Sequence, residues 1–262
     1  MKNINKLTAQ FRHGNEVTAD GTLEQIVTVE KLRNYSTSSK VESVVSVHFE
    51  DIADVFCDLA HNHEVAVGAV AWLTNQNILK AFASLRRIAI IVQKEDFMRH
   101  DAGDGNLAYR KKKLYPLYDA LKPFDFGDLV ETYPGQQELN PHFNSAVQNW
   151  LFDASGDFQH YGEAIKCIGY INDGKRASPR MHHKFVVFGS LSEGLVIRPN
   201  CVVTGSFNLT ENAELSRENI LVIKDQKICS SFVSEWAQLW AMSESLNWID
   251  PMPVVPELYM GT

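Results

Sequence analysis

The sequence lacks any long hydrophobic run and any segment of low complexity. A membrane-spanning helix needs about 20 consecutive, predominantly apolar residues, and no stretch of this chain provides them. The opening residues, MKNINKLTAQFRHG, contain no apolar core of the kind found in a secretory leader. We therefore expect a soluble, cytoplasmic protein that has no membrane partner.

Cysteine is scarce, and its spacing argues against two classes of site. The four cysteines lie far apart and form no C-x-x-C pair; they are Cys57, Cys167, Cys201 and Cys229. This pattern favours reduced thiols over a disulfide framework or a zinc knuckle. His61 and His63 have H-x-H spacing, but a pair of structural loop histidines is the favoured interpretation. We expect no metal site and no cofactor.

Positive charge is not in excess. The chain has 25 Lys and Arg residues against 32 Asp and Glu residues, which gives a formal net charge of −7. A basic field over the whole surface is therefore excluded, and any attraction to a polyanion has to be local. Lys175, Arg176 and Arg180 are the favoured candidates for substrate binding because they lie just ahead of a pair of adjacent histidines. The basic run at residues 110–113 is more typical of a solvated helix face.

What the sequence does contain is an alternation of strand and helix patterns. Residues 64–73, EVAVGAVAWL, and residues 86–92, RRIAIIV, are apolar runs typical of strands covered on both faces. Thr74 and Asn75 are suitable N-cap residues for a short helix between these strands. Such a strand–helix–strand unit favours parallel pairing. With the further strand and helix patterns downstream, the sequence predicts an α/β fold with a mixed sheet and helices on both faces.

The length allows one large domain or two small ones, and we interpret the main part of the chain as one domain. Residues 1–47 are polar and carry weak strand signals, and we interpret them as an N-terminal extension or edge hairpin. Residues 48–262 are predicted to form a single α/β domain, which would carry any active site. The last clear helix carries Trp236 and Trp240 on one face, which predicts a position in the core or at a dimer interface.

The stretch RMHHKFVVFG, residues 180–189, places three polar side chains at the head of a strand pattern. Because side chains alternate along a strand, His182 and Lys184 are expected on one face and His183 on the other. The functional unit is therefore H-x-K, and His183 is predicted to be structural.

A second polar group follows in TGSFNLT, where the same alternation places Ser206 and Asn208 on one face, and Glu218 opens the strand pattern ENILVI. One sheet edge would then gather groups that suit a phosphodiester. Lys184, Asn208 and Ser206 supply donors for its non-bridging oxygens. A neutral imidazole oriented by a carboxylate is a competent nucleophile, which makes Glu218 the candidate to orient His182.

The H-x-K of residues 182–184, followed by the G-S-x-N of residues 205–208, resembles the signature of the phospholipase D superfamily. The resemblance implies a phospholipase-D-like fold and a phosphodiesterase that needs no metal. In that family one histidine attacks phosphorus to give a phosphohistidine, and a second protonates the leaving oxygen. Because this chain has one motif, the resemblance implies a homodimer with one composite site. His182 would be the nucleophile in one chain and the general acid/base in the other.

The chain departs from the family pattern at two places. Gly189 stands where the pattern has Asp, and residues 190–204 make the gap to G-S-x-N longer than in the pattern. We expect the extra length to form a hairpin, and Glu193 within it is a candidate replacement carboxylate. Nothing in the sequence explains the glycine.

Chains with a single motif resemble the bacterial endonuclease branch, which implies a nucleic-acid substrate, DNA or RNA. By the habit of that branch, the chain would serve as the effector of a defence or restriction system with partner proteins. One alternative is a catalytically impaired scaffold or nucleic-acid-binding module, which the loss of Asp would explain. A lipid phosphodiesterase is disfavoured because no amphipathic or polybasic membrane-binding stretch is present.

Overall fold

The computed structural model describes residues 14–17, 23–26, 44–95, 106–124, 163–169, 180–191, 197–241 and 243–246. Strands β1 (Gly14–Val17) and β2 (Leu23–Ile26) form a two-stranded antiparallel sheet. The other strands form one eight-stranded sheet. They are β3 (Val45–His48), β4 (Val65–Val70), β5 (Arg87–Gln93), β6 (Ile165–Ile168), β7 (Lys184–Leu191), β8 (Ile197–Gly205), β9 (Ile220–Ile223) and β10 (Glu244–Ser245).

The large sheet is mixed, with the strand order β10-β6-β5-β4-β7-β8-β9-β3. Strands β4, β5 and β6 are parallel neighbours, which confirms the predicted strand–helix–strand unit. Strand β7 pairs antiparallel with β4, and β8, β9 and β3 continue the antiparallel order. Strand β10 closes the other edge antiparallel to β6.

Four α-helices cover the sheet in the described part of the chain: α1 (Ile52–His61), α2 (Gln76–Phe82), α3 (Asn106–Asp119) and α4 (Gln226–Ala241). Buried residues of α1, α2 and α3 share one hydrophobic cluster with one face of the sheet. Buried residues of α4, including Trp236 and Trp240, form a second cluster on the opposite face. The predicted α/β fold with a mixed sheet and helices on both faces is therefore confirmed.

Strand β4 shows why an unbroken apolar run is needed at the centre of this sheet. All six of its residues are buried. Ala66 and Val70 belong to the cluster under α1 to α3, whereas Val65, Val67 and Ala69 belong to the cluster under α4. Since neither face meets water, every position is apolar.

Helix α2 begins where the sequence predicted a cap. The Asn75 side chain accepts hydrogen bonds from the backbone N–H groups of Asn77 at 3.0 Å and Ile78 at 3.1 Å. These bonds satisfy donors that a helix start leaves unpaired. The same side chain donates through Nδ2 to Glu214 at 2.7 Å, which ties this end of the helix to the chain after β8.

The predicted hairpin between the two half-motifs is present. Strands β7 and β8 are antiparallel partners from Phe185↔Thr204 to Leu191↔Ile197. Their pairing shifts register between Phe188 and Gly189, which marks a β-bulge at this point. Glu193 lies outside the described residues, as does the rest of the hairpin tip.

The predicted division at residue 47 stays a prediction. Strand β3 spans that position and pairs antiparallel with β9 at the edge of the large sheet. All four cysteines are free, as their spacing predicted. Trp236 and Trp240 are only 3 % and 8 % exposed, which places them in the core. No helix in the part of the chain that the structure describes is long and apolar enough to span a membrane.

Candidate active site

Strand direction brings the predicted site residues to one edge of the sheet. Strand β7 starts at the edge where β4 and β5 end, because it runs antiparallel to β4. Strand β8 ends at this edge and β9 begins there, since each is antiparallel to its neighbour. The predicted site residues therefore lie along one edge: His182 just before β7, Lys184 at its first position, Ser206 and Asn208 after β8, and Glu218 before β9.

His182 and Lys184 are in direct contact. The Lys184 ammonium lies 3.1 Å from Nδ1 and 3.3 Å from Nε2 of His182, and donates to the His182 backbone oxygen at 3.1 Å. The predicted strand, however, begins only at Lys184, so His182 lies in the segment that precedes it. That segment is still held to the sheet, because the Ala71 N–H donates to the His183 carbonyl at 2.9 Å.

The surroundings of His182 favour its neutral form. Partial burial of the ring lowers the pKa of His182, and the positive charges of Lys184 and Arg180 lower it further. Burial also lowers the pKa of Lys184, whereas the Glu218 carboxylate acts in the opposite direction. A neutral imidazole carries the lone pair that a nucleophile needs.

Ser206 lies just beyond the end of β8, where two chain segments approach closely. Its N–H donates to the Asn219 carbonyl at 3.0 Å, and its Oγ accepts from the Asn219 N–H at 3.1 Å. A Cβ at the preceding Gly205 would lie 2.1 Å from that same carbonyl oxygen. The first residue of G-S-x-N is therefore a glycine because no side chain fits there.

Asn208 also lies in the loop after β8, not on a strand as the alternation suggested. The loop is fixed by a bridge between Leu73 and Leu209, whose carbonyl accepts from the N–H groups of Thr74 at 2.8 Å and Asn75 at 3.0 Å. The Asn208 Oδ1 is buried and has no hydrogen-bond partner among the described residues. Such an unsatisfied group is uncommon and calls for an explanation.

Glu218 contacts a different residue from the one predicted. It accepts a hydrogen bond from the Ser206 hydroxyl. Among the described residues, no hydrogen bond joins Glu218 to His182, and the influence of Glu218 is on the pKa of Lys184. Its predicted role in orienting His182 stays a prediction, while its contact with Ser206 is observed.

His183 points away from this group of residues. Its Nε2 lies 3.1 Å from Glu235 on α4, and its ring contacts Phe185 at a centroid distance of 5.6 Å. Phe185 belongs to the cluster under α4, the opposite layer from the one that contains α1 to α3. The alternation between His182 and His183 is as predicted.

Three further residues, which the sequence did not point to, lie next to His182: Trp72 contacts its ring, Glu95 contacts Trp72, and Gln93 contacts the backbone of the preceding Met181. The Trp72 ring lies 5.9 Å from the His182 ring at an interplanar angle of 84°. Trp72 donates through Nε1 to Glu95 at 3.0 Å. The buried Gln93 accepts through Oε1 from the Met181 N–H at 2.8 Å. Gln93 ends β5, and Trp72 and Glu95 lie two residues beyond the ends of the parallel strands β4 and β5. The carboxyl ends of such strands are where binding sites tend to form.

Of the predicted substrate-binding residues, only Arg180 lies in the described structure. It is exposed and close enough to affect the pKa of His182. Lys175 and Arg176 lie outside the described residues. His63, half of the H-x-H pair, contacts the Leu59 carbonyl at 2.8 Å. No group of three or more His, Cys, Asp or Glu side chains within the described ranges is placed to hold a metal ion.

A protein-family model matches part of this chain. Residues 131–240 match the model of a family described as "Cardiolipin synthase, PLD-like domain". The matched segment contains both half-motifs and Glu218. The resemblance to the phospholipase D superfamily is confirmed. A curated relative, "Uncharacterized protein L381" of Acanthamoeba polyphaga mimivirus, is 26% identical over 227 residues, which cover 85% of this chain and 74% of that protein.

Two solved structures are similar to this chain. NucT from Helicobacter pylori has a TM-score of 0.44 and 13% identity, covering 77% of this chain and 98% of its own. Nuc from Salmonella typhimurium, a phospholipase D family member, has a TM-score of 0.41 and 14% identity, covering 76% and 95%.

Within the phospholipase-D-like segment, the structure explains Gly189. A Cβ at this position would lie 2.3 Å from the Arg198 carbonyl oxygen across the β-bulge. Gly189 lies five residues beyond Lys184, which is about 16 Å along a strand. By the alternation of β7 it also faces the layer of Phe185 and Val187, opposite Lys184. The missing Asp therefore removes no group from the edge that holds His182.

Proposed function

We propose that this chain is a phosphodiesterase that cleaves nucleic acid through a phosphohistidine intermediate and needs no metal ion. The observation that supports the proposal most directly is the contact between His182 and Lys184 at an exposed sheet edge. The edge also carries the Ser206–Glu218 hydrogen bond and the unpaired amide oxygen of Asn208.

In the first step, a ring nitrogen of neutral His182 attacks phosphorus. A nitrogen–phosphorus bond forms as the bond to the leaving oxygen breaks, and the leaving oxygen takes a proton from a second, protonated histidine. Lys184 donates to a non-bridging oxygen and offsets the negative charge that develops there. Ser206 and the Nδ2 of Asn208 are the proposed neutral donors to the same phosphoryl group.

In the second step, a water molecule attacks the phosphohistidine. The second histidine, now neutral, accepts a proton from that water, and the nitrogen–phosphorus bond breaks to return His182 to its neutral form. One chain provides a single H-x-K, so we propose that the second histidine is the partner subunit's copy of the same residue. The proposed enzyme is therefore a homodimer with one composite site at its twofold axis.

The proposed substrate is a nucleic acid, DNA or RNA. With a net charge of −7 the chain must attract a polyanion locally, and exposed Arg180 beside His182 provides one such charge. Lys175 and Arg176 precede it in the sequence. From the family resemblance alone, we also propose a cytoplasmic role as an effector in a bacterial defence or restriction system, with partner proteins.

The test is cleavage by purified wild-type, His182→Ala and His183→Ala proteins. Plasmid DNA, single-stranded DNA, RNA and phospholipid vesicles are each incubated with excess EDTA. We expect the wild type to cleave at least one nucleic acid, and His182→Ala to lose roughly 10³-fold or more of that rate because it removes the nucleophile. His183→Ala is the matched control: it removes an adjacent imidazole that contacts α4, so cleavage should persist.

The other outcomes have definite meanings. Cleavage that EDTA abolishes would contradict the metal-independent mechanism. Cleavage of vesicles alone would replace the nuclease with a lipid phosphodiesterase. If all four substrates remain intact while nucleic acid binds, the chain is a catalytically impaired binding module. Equal loss in both histidine variants would indicate a folding defect, which thermal melting of each variant detects.

A further inference from the structure

Within the described ranges, Trp72 is the aromatic residue whose ring contacts that of His182. Their centroids are 5.9 Å apart and their planes are at 84°, the edge-to-face geometry that aromatic pairs prefer. Trp72 lies two residues after the end of β4, and the His182 segment precedes β7, the neighbour of β4 in the sheet. The backbone hydrogen bond from Ala71 to His183 joins these two segments, so the ring contact is built into the sheet edge.

The orientation of the indole is itself fixed by a carboxylate. Trp72 Nε1 donates to Glu95 Oε1 at 3.0 Å. An indole has only this one hydrogen-bond donor, so the bond selects one orientation of the ring. Glu95 lies just beyond β5, the parallel neighbour of β4, and the ends of the two strands are in register. Trp72 and Glu95 are both half-buried, so we expect that either can be substituted without exposing the hydrophobic core.

As a nucleophile, His182 needs a contact that fixes the orientation of its ring. The ring is exposed, and among the described residues no carboxylate is hydrogen-bonded to it. Glu218, which was predicted to orient His182, accepts a hydrogen bond from Ser206 instead. An imidazole nucleophile has to keep one nitrogen aimed at phosphorus, and small misplacements of a reacting group cost large factors in rate.

We propose that Trp72, held by Glu95, is a positioning residue that restricts the rotation of the His182 ring. Trp72 contacts the nucleophile from the side of β4, and Lys184 contacts it from β7. Glu95 acts through Trp72 and has no described contact of its own with His182. The role rests on the proposed function, since it serves the attack of His182 on phosphorus.

The kinetic test uses Trp72→Leu, Trp72→Phe and Glu95→Leu, assayed on the polymer that the wild type cleaves. We expect Trp72→Leu to lower kcat roughly tenfold with little change in KM, because positioning acts on the chemical step. Trp72→Phe should recover most of kcat, since it restores an aromatic edge. Glu95→Leu should give an intermediate loss by freeing the indole. Glu235→Leu, which alters the contact of His183 instead, is the matched control and should match the wild type.

A second readout needs no turnover. In protein labelled at histidine, the His182 resonance is assigned by its loss in His182→Gln and titrated by NMR in each variant. Partial burial is the largest cause of the lowered pKa of His182, ahead of Lys184 and Arg180. Trp72→Leu removes part of the surface that covers the ring. We therefore expect it to change the chemical shift of His182 and to raise the pKa of that histidine, whereas Glu235→Leu should change neither.

The outcomes separate this role from the proposed function. A rise in KM at unchanged kcat would make Trp72 a substrate contact and overturn the positioning role, as would a Trp72→Leu enzyme with wild-type kcat. An unchanged His182 resonance in Trp72→Leu overturns the role whether or not the protein cleaves anything. If the wild type cleaves nothing but the resonance moves as expected, the proposed function fails and the contact between the rings stands.

Discussion

At the scale of single residues, the protonation state of His182 decides whether it can act as a nucleophile. Its pKa lies below the usual 6.5 because of partial burial and the charges of Lys184 and Arg180. A lowered pKa means that the ring remains neutral to lower pH than an ordinary histidine. The nucleophilic form is therefore available at neutral pH and is lost only as the pH falls through this lowered value.

Lys184→Met removes the cation that touches the ring, and we expect it to raise the pKa of His182 towards 6.5. A proton is easier to add once the neighbouring positive charge is gone. NMR titration of the His182 resonance measures the shift. Lys80→Met, an exposed lysine on α2, is the matched control and should have no effect. An unchanged or lower pKa in Lys184→Met would show that the ammonium does not act on the ring.

The sequence predicted which residues meet at the site edge better than it predicted their contacts. Alternation along one strand was sufficient to pair His182 with Lys184. The partner of Glu218 was not predictable, because it depends on a close approach of the chain after β8 to the chain before β9. Trp72 and Glu95 were missed because their contact joins the ends of two parallel strands, which no local pattern reveals.

At the scale of elements, the bulge in the β7–β8 hairpin accounts for Gly189. We expect Gly189→Asp, the change that would restore the family pattern, to destabilise the protein by at least about 2 kcal/mol. The new Cβ would overlap the Arg198 carbonyl, and the carboxylate would be directed toward the buried layer under α4. Gly189→Ala should destabilise as well, because the overlap begins at Cβ. Chemical denaturation measures both.

Ser190→Asp is the matched control, since it adds the same carboxylate to the next residue, which is only half-buried. We expect a smaller loss of stability there. A Gly189→Asp protein that is as stable as the wild type and more active would contradict this account. In that case the introduced carboxylate would assist the active site even though it lies five residues beyond Lys184.

Element positions were predictable where a local sequence signal determines them. The apolar runs of β4 and β5 and the cap at Asn75 are local signals, and each is found in place. Strand β7 starts later than predicted because its first pairing with β4 is at Lys184, and His182 and His183 precede it. Ser206 and Asn208 fall in a loop because β8 ends at Gly205. A strand end depends on its neighbours, and a single sequence does not describe them.

At the scale of the whole molecule, the main question is how a chain with one H-x-K obtains two histidines. Each step of the proposed reaction uses one imidazole to bond phosphorus and another to move a proton. His183 does not serve, because it faces Glu235 on the opposite layer. The edge that holds His182 would therefore have to face the same edge of a second copy, as a twofold axis provides.

Mixing active and inactive chains tests this arrangement. Wild-type and His182→Ala chains are co-expressed in varied ratios, and the mass of the purified protein is measured by light scattering. If one composite site needs His182 from both chains, only pairs of wild-type chains cleave, and activity follows the square of the wild-type fraction. An equal mixture should then keep about a quarter of the activity, whereas independent sites would keep about half. His183→Ala chains in the same mixtures should cause no loss. A linear dependence, or a monomer that cleaves, would mean that one chain supplies both proton transfer and attack, and a second group within the chain would have to replace the partner's histidine.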